Sequence, residues 1–138
     1  MTTPFRFPYR SVPTGGGVAR ISLMPFRLHN GAAWLDVDGL IDNGAAVSVL
    51  PFDIGSRLGL DWEAQPVPVQ LTGNLAALPA KAIFLDATVD GFAPVPLVFA
   101  WTRATGVPLL LGQTNFFDQF DVCFFRTRGF FTVAPRTP

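Results

Sequence analysis

The sequence predicts an all-β domain, built as a barrel or a sandwich. Its 138 residues contain many short apolar segments, which turn-forming residues separate at close spacing. Only two short stretches favour a helix. This pattern is typical of antiparallel β folds. A chain of this length can form one domain with a core large enough to fold alone.

The predicted elements follow the turn residues in order. Residues 1–17 are rich in proline and glycine, so we expect an extended leader there and the folded domain at residues 18–138. The leader is a cleavable pro-segment, a dimer arm or a disordered segment. The turn Asn30-Gly31 separates the first two strands. The predicted strands are Val18–Leu28, Ala33–Ile41, Pro66–Thr72, Lys81–Asp90, Val95–Trp101, Asp121–Phe125 and Phe130–Val133.

Two short helices interrupt this series of strands. Pro51–Gly59 begins with a proline, which suits a first helical turn, and ends with a glycine. Thr114–Phe120 is the second predicted helix. The third and fourth strands form a hairpin around Gly73 to Pro79.

Composition excludes several classes of protein. The formal net charge is +0, so we expect neither a nucleic-acid partner nor an anionic membrane. Charged residues make up 14% of the chain, against about 25% in average domains. So few charges on so small a domain favour burial of part of its surface against another subunit. A merely apolar monomer is the alternative.

Cysteine and histidine are too scarce for a disulfide framework or a usual zinc site. Cys123 and His29 are the single residues of their types. The apolar run Val95–Trp101 is far shorter than the roughly 20 residues of a spanning helix. The N-terminus lacks the apolar core of a signal peptide. We therefore expect a cytoplasmic protein without a metal or cofactor.

The stretch Leu-Ile-Asp-Asn-Gly-Ala-Ala carries the predicted chemistry. An apolar strand leads into one carboxylate, Asp42, on a turn that continues with Asn43, Gly44 and Ala45. Small residues leave room for a substrate beside a carboxylate held at a bend. This pattern favours acid–base activation of water, provided that a second carboxylate lies close. An ordinary turn residue is the alternative for Asp42. A second apolar run, Leu109 to Leu111, also ends at a glycine but carries no carboxylate.

Together these residues resemble the retropepsin-like aspartic proteases. The resemblance covers roughly residues 18–133 and rests on Leu40 to Pro51, Arg57 to Leu60, and Leu109 to Val122. It implies a closed acid-protease barrel with one short C-terminal helix, active as a two-fold homodimer. In such a dimer Asp42 from each subunit forms a carboxylate pair that hydrolyses peptide bonds without metal or cofactor.

The resemblance also implies the other site residues. The tip of the hairpin is expected to act as a flap over a peptide or protein substrate, and Gly112 is expected to end the family's second apolar segment. The implied flap residues are Gly73, Asn74, Leu75, Ala76 and Ala77, and the implied apolar segment contains Leu110, Leu111 and Gly112.

One residue departs from the family pattern. Asn43 stands where the family usually has Thr or Ser, whose hydroxyl group bonds across the dimer. An Asn amide offers a donor and an acceptor, but it is longer and planar. Two alternatives therefore accompany the peptidase hypothesis: a catalytically weak or inactive peptide-binding scaffold, and an unrelated β-barrel in which Asp-Asn-Gly is only a turn.

Overall fold

The computed structural model describes residues 3–71, 78–104 and 106–137. Strands dominate these residues, as predicted, and two short α-helices accompany them. The strands are β1 (Phe5–Pro8), β2 (Arg10–Thr14), β3 (Gly17–Ile21), β4 (Leu23–Asn30), β5 (Ala33–Ile41), β6 (Val49–Leu50), β7 (Pro68–Val69), β8 (Ala80–Thr88), β9 (Val95–Thr102), β10 (Leu110–Leu111), β11 (Phe120–Phe125) and β12 (Phe130–Pro135). The helices are α1 (Phe52–Arg57) and α2 (Phe116–Gln119), with short 3-10 helices at Trp62–Ala64 and Arg126–Arg128.

Six of the strands close into a barrel in the order β4, β5, β10, β6, β9, β8. Closure occurs because β8 pairs with β9 along most of its length and with β4 at its end. The hairpin between β4 and β5 turns at Gly31, whose φ of 59° is a conformation that glycine adopts without strain. The closed barrel confirms the predicted all-β class.

The main core fills the space between the barrel and a second, three-stranded sheet. Its largest fully buried side chains are Trp101, Phe99, Phe116, Phe120 and Phe131. Helix α1 packs directly against the core. At Gly55 the helix backbone comes so close to the Trp101 indole ring that a Cβ there would collide with it. The Trp101 ring donates its N–H to the Phe52 carbonyl at 3.2 Å, so the buried indole keeps its hydrogen bond.

The N-terminal segment corrects the predicted domain boundary. Instead of a leader outside the domain, β1 pairs antiparallel with β12, which pairs in turn with β11. Phe7 is only 4% exposed and belongs to the core. The sequence pattern did not reveal this strand because the segment is rich in proline. Proline is tolerated in β1 because the strand lies at a sheet edge, where the missing N–H costs no ladder hydrogen bond. Residues 10–21 form a hairpin of β2 and β3, so the glycines near residue 16 make a turn.

The remaining predicted elements differ mainly in length. The predicted strand Val18–Leu28 is broken at Ser22, whose hydroxyl donates to the Ile41 carbonyl at 3.0 Å. Strands β11 and β12 pair across residues 126–129, as expected, with Gly129 in the left-handed region. Within the described residues, no helix has the length and hydropathy needed to cross a membrane.

Candidate active site

Strand β10 brings the two glycine-ended segments side by side. It lies between β5 and β6, parallel to the first and antiparallel to the second. Residues 42–48 connect β5 to β6, and β10 lies between these two strands. Strand β10 therefore passes through the loop that residues 42–48 make. The Asp42 N–H donates to the Leu111 carbonyl at 3.0 Å, and this bond continues the parallel pairing to the start of the turn.

Asp42 lies half-buried at the end of β5, where its carboxylate is held by the turn itself. Its Oδ1 accepts a hydrogen bond from the Gly44 N–H at 2.9 Å. The Asp42 carbonyl accepts another from the Ala45 N–H at 3.1 Å. A Cβ at Gly44 would lie 3.2 Å from Oδ1, so the glycine keeps the space beside the carboxylate open. No described residue hydrogen-bonds to Oδ2, which leaves that oxygen available for chemistry.

The residues after Gly112 support the turn through backbone hydrogen bonds. The Gln113 N–H donates to the Ala45 carbonyl at 2.8 Å, and the Thr114 N–H donates to the Ala46 carbonyl at 2.9 Å. These bonds tie the adjacent small residues Ala45 and Ala46 to the second segment. The turn that carries Asp42 is therefore held by residues distant in sequence.

Gly112 itself makes the closest approach between the two segments. Its N–H donates at 3.0 Å to the hydroxyl of Ser48, a residue that is 1% exposed. A Cβ at position 112 would lie 2.5 Å from the Val47 carbonyl oxygen and 2.8 Å from that of Ala45. Glycine is required here because no side chain fits between the two backbones.

Asn43, the residue after Asp42, is exposed. Its carbonyl accepts a 2.6 Å hydrogen bond from the side-chain amide of Gln113. Sequence reasoning did not single out Gln113, although its position directly after Gly112 was a usable signal. The Asn43 side chain has no hydrogen-bond partner among the described residues, so it is free to contact another molecule.

A small apolar pocket opens beside the turn. Its volume is about 140 Å³, similar to the roughly 150 Å³ of a cavity that holds benzene. The lining residues are Val47, Ser48, Val69, Ala82, Val98, Phe99, Ala100 and Thr114. None of them is charged, so an apolar side chain fits the pocket better than a charged one, which would lose its water without gaining a partner. No local sequence pattern marks this pocket, because its walls come from separate strands.

Phe84 extends the apolar surface around this pocket. It follows Ala82 by two positions on β8, so both side chains point to the same face, and it pairs with Val98. The Phe84 side chain is 76% exposed. An exposed aromatic ring next to an open apolar pocket is a common feature of binding surfaces.

The predicted flap residues, Gly73 to Ala77, lie outside the described residues. The strands on either side of that segment are β7 and β8, which pair antiparallel with Val69 opposite Ala80. Val69 and Ala82 also line the apolar pocket, so the pocket lies between the turn and the base of this hairpin.

Two further carboxylates, those of Asp36 and Asp38, lie on the outer face of β5 and form ion pairs. Arg27 donates two hydrogen bonds to Asp36, at 2.8 and 3.2 Å, and Arg10 donates two to Asp38. The hydrogen bond from Arg27 holds the pKa of Asp36 below its ordinary value. Asp36 and Asp38 therefore do not join Asp42. In the described part of the chain, no group of three or more potential ligand side chains could hold a metal ion.

Comparison with known proteins supports the fold. No family model matches the sequence, and a search of curated proteins found no match. Among solved structures, the chain is similar to the crystal structure of a retropepsin-like aspartic protease from Rickettsia conorii. The TM-score is 0.63 at 13% sequence identity, over 97% of this chain and 100% of that chain. At this low identity the likeness establishes the architecture alone: the chain has a retropepsin-like fold.

Proposed function

We propose that the protein is an aspartic endopeptidase in which two copies of the chain each contribute Asp42. The observation that carries this proposal is the position of Asp42 at the end of β5, with one oxygen bound to the Gly44 N–H and the other without a partner among the described residues. The retropepsin-like fold also supports this proposal. Asp42 lies in the loop that connects β5 to β6, and β10 passes through that loop.

The chemistry requires a pair of carboxyl groups that hold a single proton between them, because two adjacent carboxylates cannot both be charged. The ionised group takes a proton from water as the water oxygen attacks the peptide carbonyl carbon. The protonated group donates to the peptide carbonyl oxygen. In the resulting diol, the carboxyl group that took the water proton gives it to the amide nitrogen, and the carboxylate that donated its proton takes one back from a diol hydroxyl. The C–N bond then breaks to release an amine and a carboxylic acid, and the pair again holds a single proton.

A second copy of the chain supplies the second carboxylate in this proposal. The other glycine-ended segment lacks an acid at the position that corresponds to Asp42. Its first carboxylate is Asp118, which is already engaged, since its Oδ2 accepts a 2.9 Å hydrogen bond from the Asn115 N–H. A symmetric homodimer is the simplest arrangement that brings two identical Asp42 side chains together.

The substrate is a polypeptide bound between the turn and the hairpin of β7 and β8. The pocket beside Val47 would receive one uncharged side chain, and Phe84 would contact a neighbouring apolar residue. Residues 73–77 would cover the bound peptide as a flap. The apolar lining of the pocket favours aliphatic or small aromatic side chains over charged ones.

Cleavage of an unbiased peptide library at several pH values tests this function, with an active-site peptidomimetic inhibitor as a control. Asp42→Asn is the matched variant, because it keeps the acceptor for the Gly44 N–H but removes the acid. We expect the parent protein to cleave and the variant to lose cleavage while its light-scattering mass stays that of a dimer. Equal cleavage by both proteins would remove Asp42 from the mechanism, and a monomer mass would contradict the shared site.

A catalytically silent peptide-binding scaffold is the second candidate function. Asn43 favours it, because its amide replaces the hydroxyl group that the family uses at this position. Binding of library peptides without cleavage, measured by fluorescence anisotropy, would support the scaffold over the peptidase.

A further inference from the structure

The outer face of β8 carries a row of side chains that begins at the apolar pocket. Ala82 lines the pocket, and Phe84 and Asp86 follow at two-residue intervals, so all three point to the same face. Both Phe84 and Asp86 are exposed. This row therefore leads from the pocket along β8 and lies beside the neighbouring strand β4.

Strand pairing continues this row across β4 to Trp34 on β5. His29 pairs with Asp86 on one side and with Trp34 on the other. Directly paired residues point to the same face of a sheet, so these side chains share one surface. This surface, the outer strip, consists of Phe84, Asp86, His29 and Trp34. The hairpin tip that precedes Trp34 is exposed and uncharged, and it contains Gly31, Ala32 and Ala33.

The Trp34 ring is restrained although 55% of the residue is exposed. The Arg27 guanidinium lies 3.8 Å from the ring centroid, and it donates two hydrogen bonds to Asp36. One face of the indole is therefore covered, while the rest remains accessible to another molecule. A restrained ring loses little side-chain entropy on binding, which favours a role in recognition.

The spacing of the two aromatic residues fits an extended polypeptide. Neighbouring strands lie about 4.8 Å apart, so the backbone at Trp34 lies about 10 Å from Asp86, two strands away. Phe84 is two residues along β8 from Asp86, which adds about 7 Å in the perpendicular direction. The resulting distance of about 12 Å corresponds to about four residues of an extended chain.

The charge of the outer strip favours a basic residue over an acidic one. Asp86 lies between the two aromatic residues, and no basic group among the described residues lies within 4.0 Å of it. The neighbouring His29 is hydrogen-bonded through Nε2 to the Thr88 hydroxyl at 3.1 Å. An apolar segment with a basic residue in its middle therefore complements this surface better than an anionic membrane, which Asp86 would repel.

We propose that a polypeptide substrate extends beyond the apolar pocket onto the outer strip, where Phe84 and Trp34 each contact one of its apolar side chains. A basic residue between those two side chains lies opposite Asp86. This inference rests on the proposed peptidase function, because it takes the occupant to be the same chain that fills the pocket. In a symmetric homodimer each subunit contributes one such strip, so residues on both sides of the cleaved bond are selected.

Fluorescence anisotropy with the full chain carrying Asp42→Asn tests binding separately from cleavage. The probe is a labelled octapeptide, selected from the peptide library for binding to this variant, with Leu-Gly-Lys-Gly-Leu added at its N-terminus. Its control carries Ser-Gly-Lys-Gly-Ser instead. We expect the leucine extension to bind roughly tenfold more tightly, through partial burial of two leucine side chains. Equal binding of the two peptides overturns the inference, whether or not the parent cleaves them.

Substitutions in the same background locate the contact. Trp34→Ser should reduce the preference for the leucine extension to about twofold or less, whereas Trp34→Phe should retain most of it. Val18→Ser is the matched control, because it removes an apolar side chain that is 71% exposed outside the outer strip, and it should keep the full preference. Thermal unfolding checks that each variant folds. If Trp34→Ser is unfolded, Phe84→Ser, at a position that is 76% exposed, should lower the preference in its place.

A change of charge in the probe tests the contribution of Asp86. Leu-Gly-Glu-Gly-Leu in place of the lysine extension should weaken binding about threefold, because the glutamate lies opposite a carboxylate. Asp86→Asn should remove this difference between lysine and glutamate while the preference for leucine over serine remains. A lysine–glutamate difference that Asp86→Asn leaves intact would contradict the proposed path of the substrate.

Cleavage by the parent separates this inference from the peptidase proposal. If the leucine and serine extensions are cleaved with equal kcat/KM, the outer strip is overturned and the Asp42 mechanism stands. If the leucine extension binds more tightly but neither peptide is cleaved, the strip is supported as a polypeptide-binding surface and the peptidase is overturned. A light-scattering mass that falls to that of a monomer in Trp34→Ser would identify the strip as a contact between copies, which also overturns the inference.

Discussion

The side-chain amide of Gln113 donates a 2.6 Å hydrogen bond to the backbone carbonyl of Asn43, across a separation of 70 residues. This bond joins the second glycine-ended segment to the residue next to Asp42. It adds a side-chain support to the backbone bonds that hold the same turn. The orientation of the Asp42 carboxylate therefore depends on a residue outside its own motif.

The first prediction concerns this hydrogen bond. Gln113→Glu keeps the side-chain length but replaces the donor with a carboxylate that repels the Asn43 carbonyl. We expect kcat for peptide cleavage to fall roughly tenfold, since a displacement of about 1 Å at a catalytic group can cost about 100-fold. The unfolding temperature should change little, because both groups are exposed. An unchanged kcat would show that the backbone bonds alone hold the turn.

The second prediction concerns the close approach at Gly112. Gly112→Ala places a Cβ 2.5 Å from the Val47 carbonyl oxygen, a backbone atom that cannot move aside easily. We expect a loss of about 1 to 3 kcal/mol or more in the free energy of unfolding, measured in urea. Gly16→Ala is the control, because nothing lies within 4 Å of that position, and it should be nearly neutral. Equal stability of both variants would contradict the packing described here.

The third prediction concerns the residue that departs from the family pattern. Asn43→Thr introduces a branched hydroxyl group where the Asn43 amide has no partner among the described residues. We expect this variant to preserve or raise both peptidase activity and dimer affinity, because a hydroxyl can bond across a two-fold axis. Sedimentation velocity and cleavage rates measure the two effects. A clear drop in dimer affinity would show that the amide is the better group at this position.

The fourth prediction concerns the apolar pocket. Ala82→Leu adds bulk to a cavity of about 140 Å³, so we expect cleavage preference to shift from large toward small apolar side chains. The shift should be roughly tenfold or more, since one methylene in a pocket is worth about 1 to 3 kcal/mol. Ala64→Leu, at an exposed position away from the pocket, is the control. Identical library profiles for both variants would exclude this pocket from substrate binding.

The fifth prediction concerns the ion pair on the outer face of β5. Arg27→Gln should raise the pKa of Asp36 toward its ordinary value, because the hydrogen bond from Arg27 is the main cause of the lowered pKa. In the parent, the contribution of this pair to stability is present at neutral pH and is lost as the pH falls through the folded-state pKa. A pH titration followed by NMR measures the shift, with Arg57→Gln as the control. An unchanged Asp36 titration would contradict the assigned cause.

Much of the barrel could be predicted because its signals are local. Asn30-Gly31 specified a hairpin turn, and alternation in residues 33–41 specified a half-buried strand. The pairing of β11 with β12 followed from the short connection at residues 126–129. The N-terminal strand was missed because Phe7 becomes buried only when β12, from the other end of the chain, lies beside it.

Local sequence preferences specified the β class and the tight turn after Asp42, since Asn43 and Gly44 favour a bend there. Gly112 could be recognised as the end of an apolar run, but the requirement for glycine there comes from the Val47 and Ala45 carbonyl oxygens, which tertiary packing brings close. The tertiary structure decided that β10 lies between β5 and β6, that Gln113 reaches Asn43, and that Arg20 meets Arg126. These contacts join segments far apart in the chain, and they arise from closure of the barrel and pairing of the terminal strands. No local pattern encodes such contacts, because the free energy that selects them comes from the packing of the whole core.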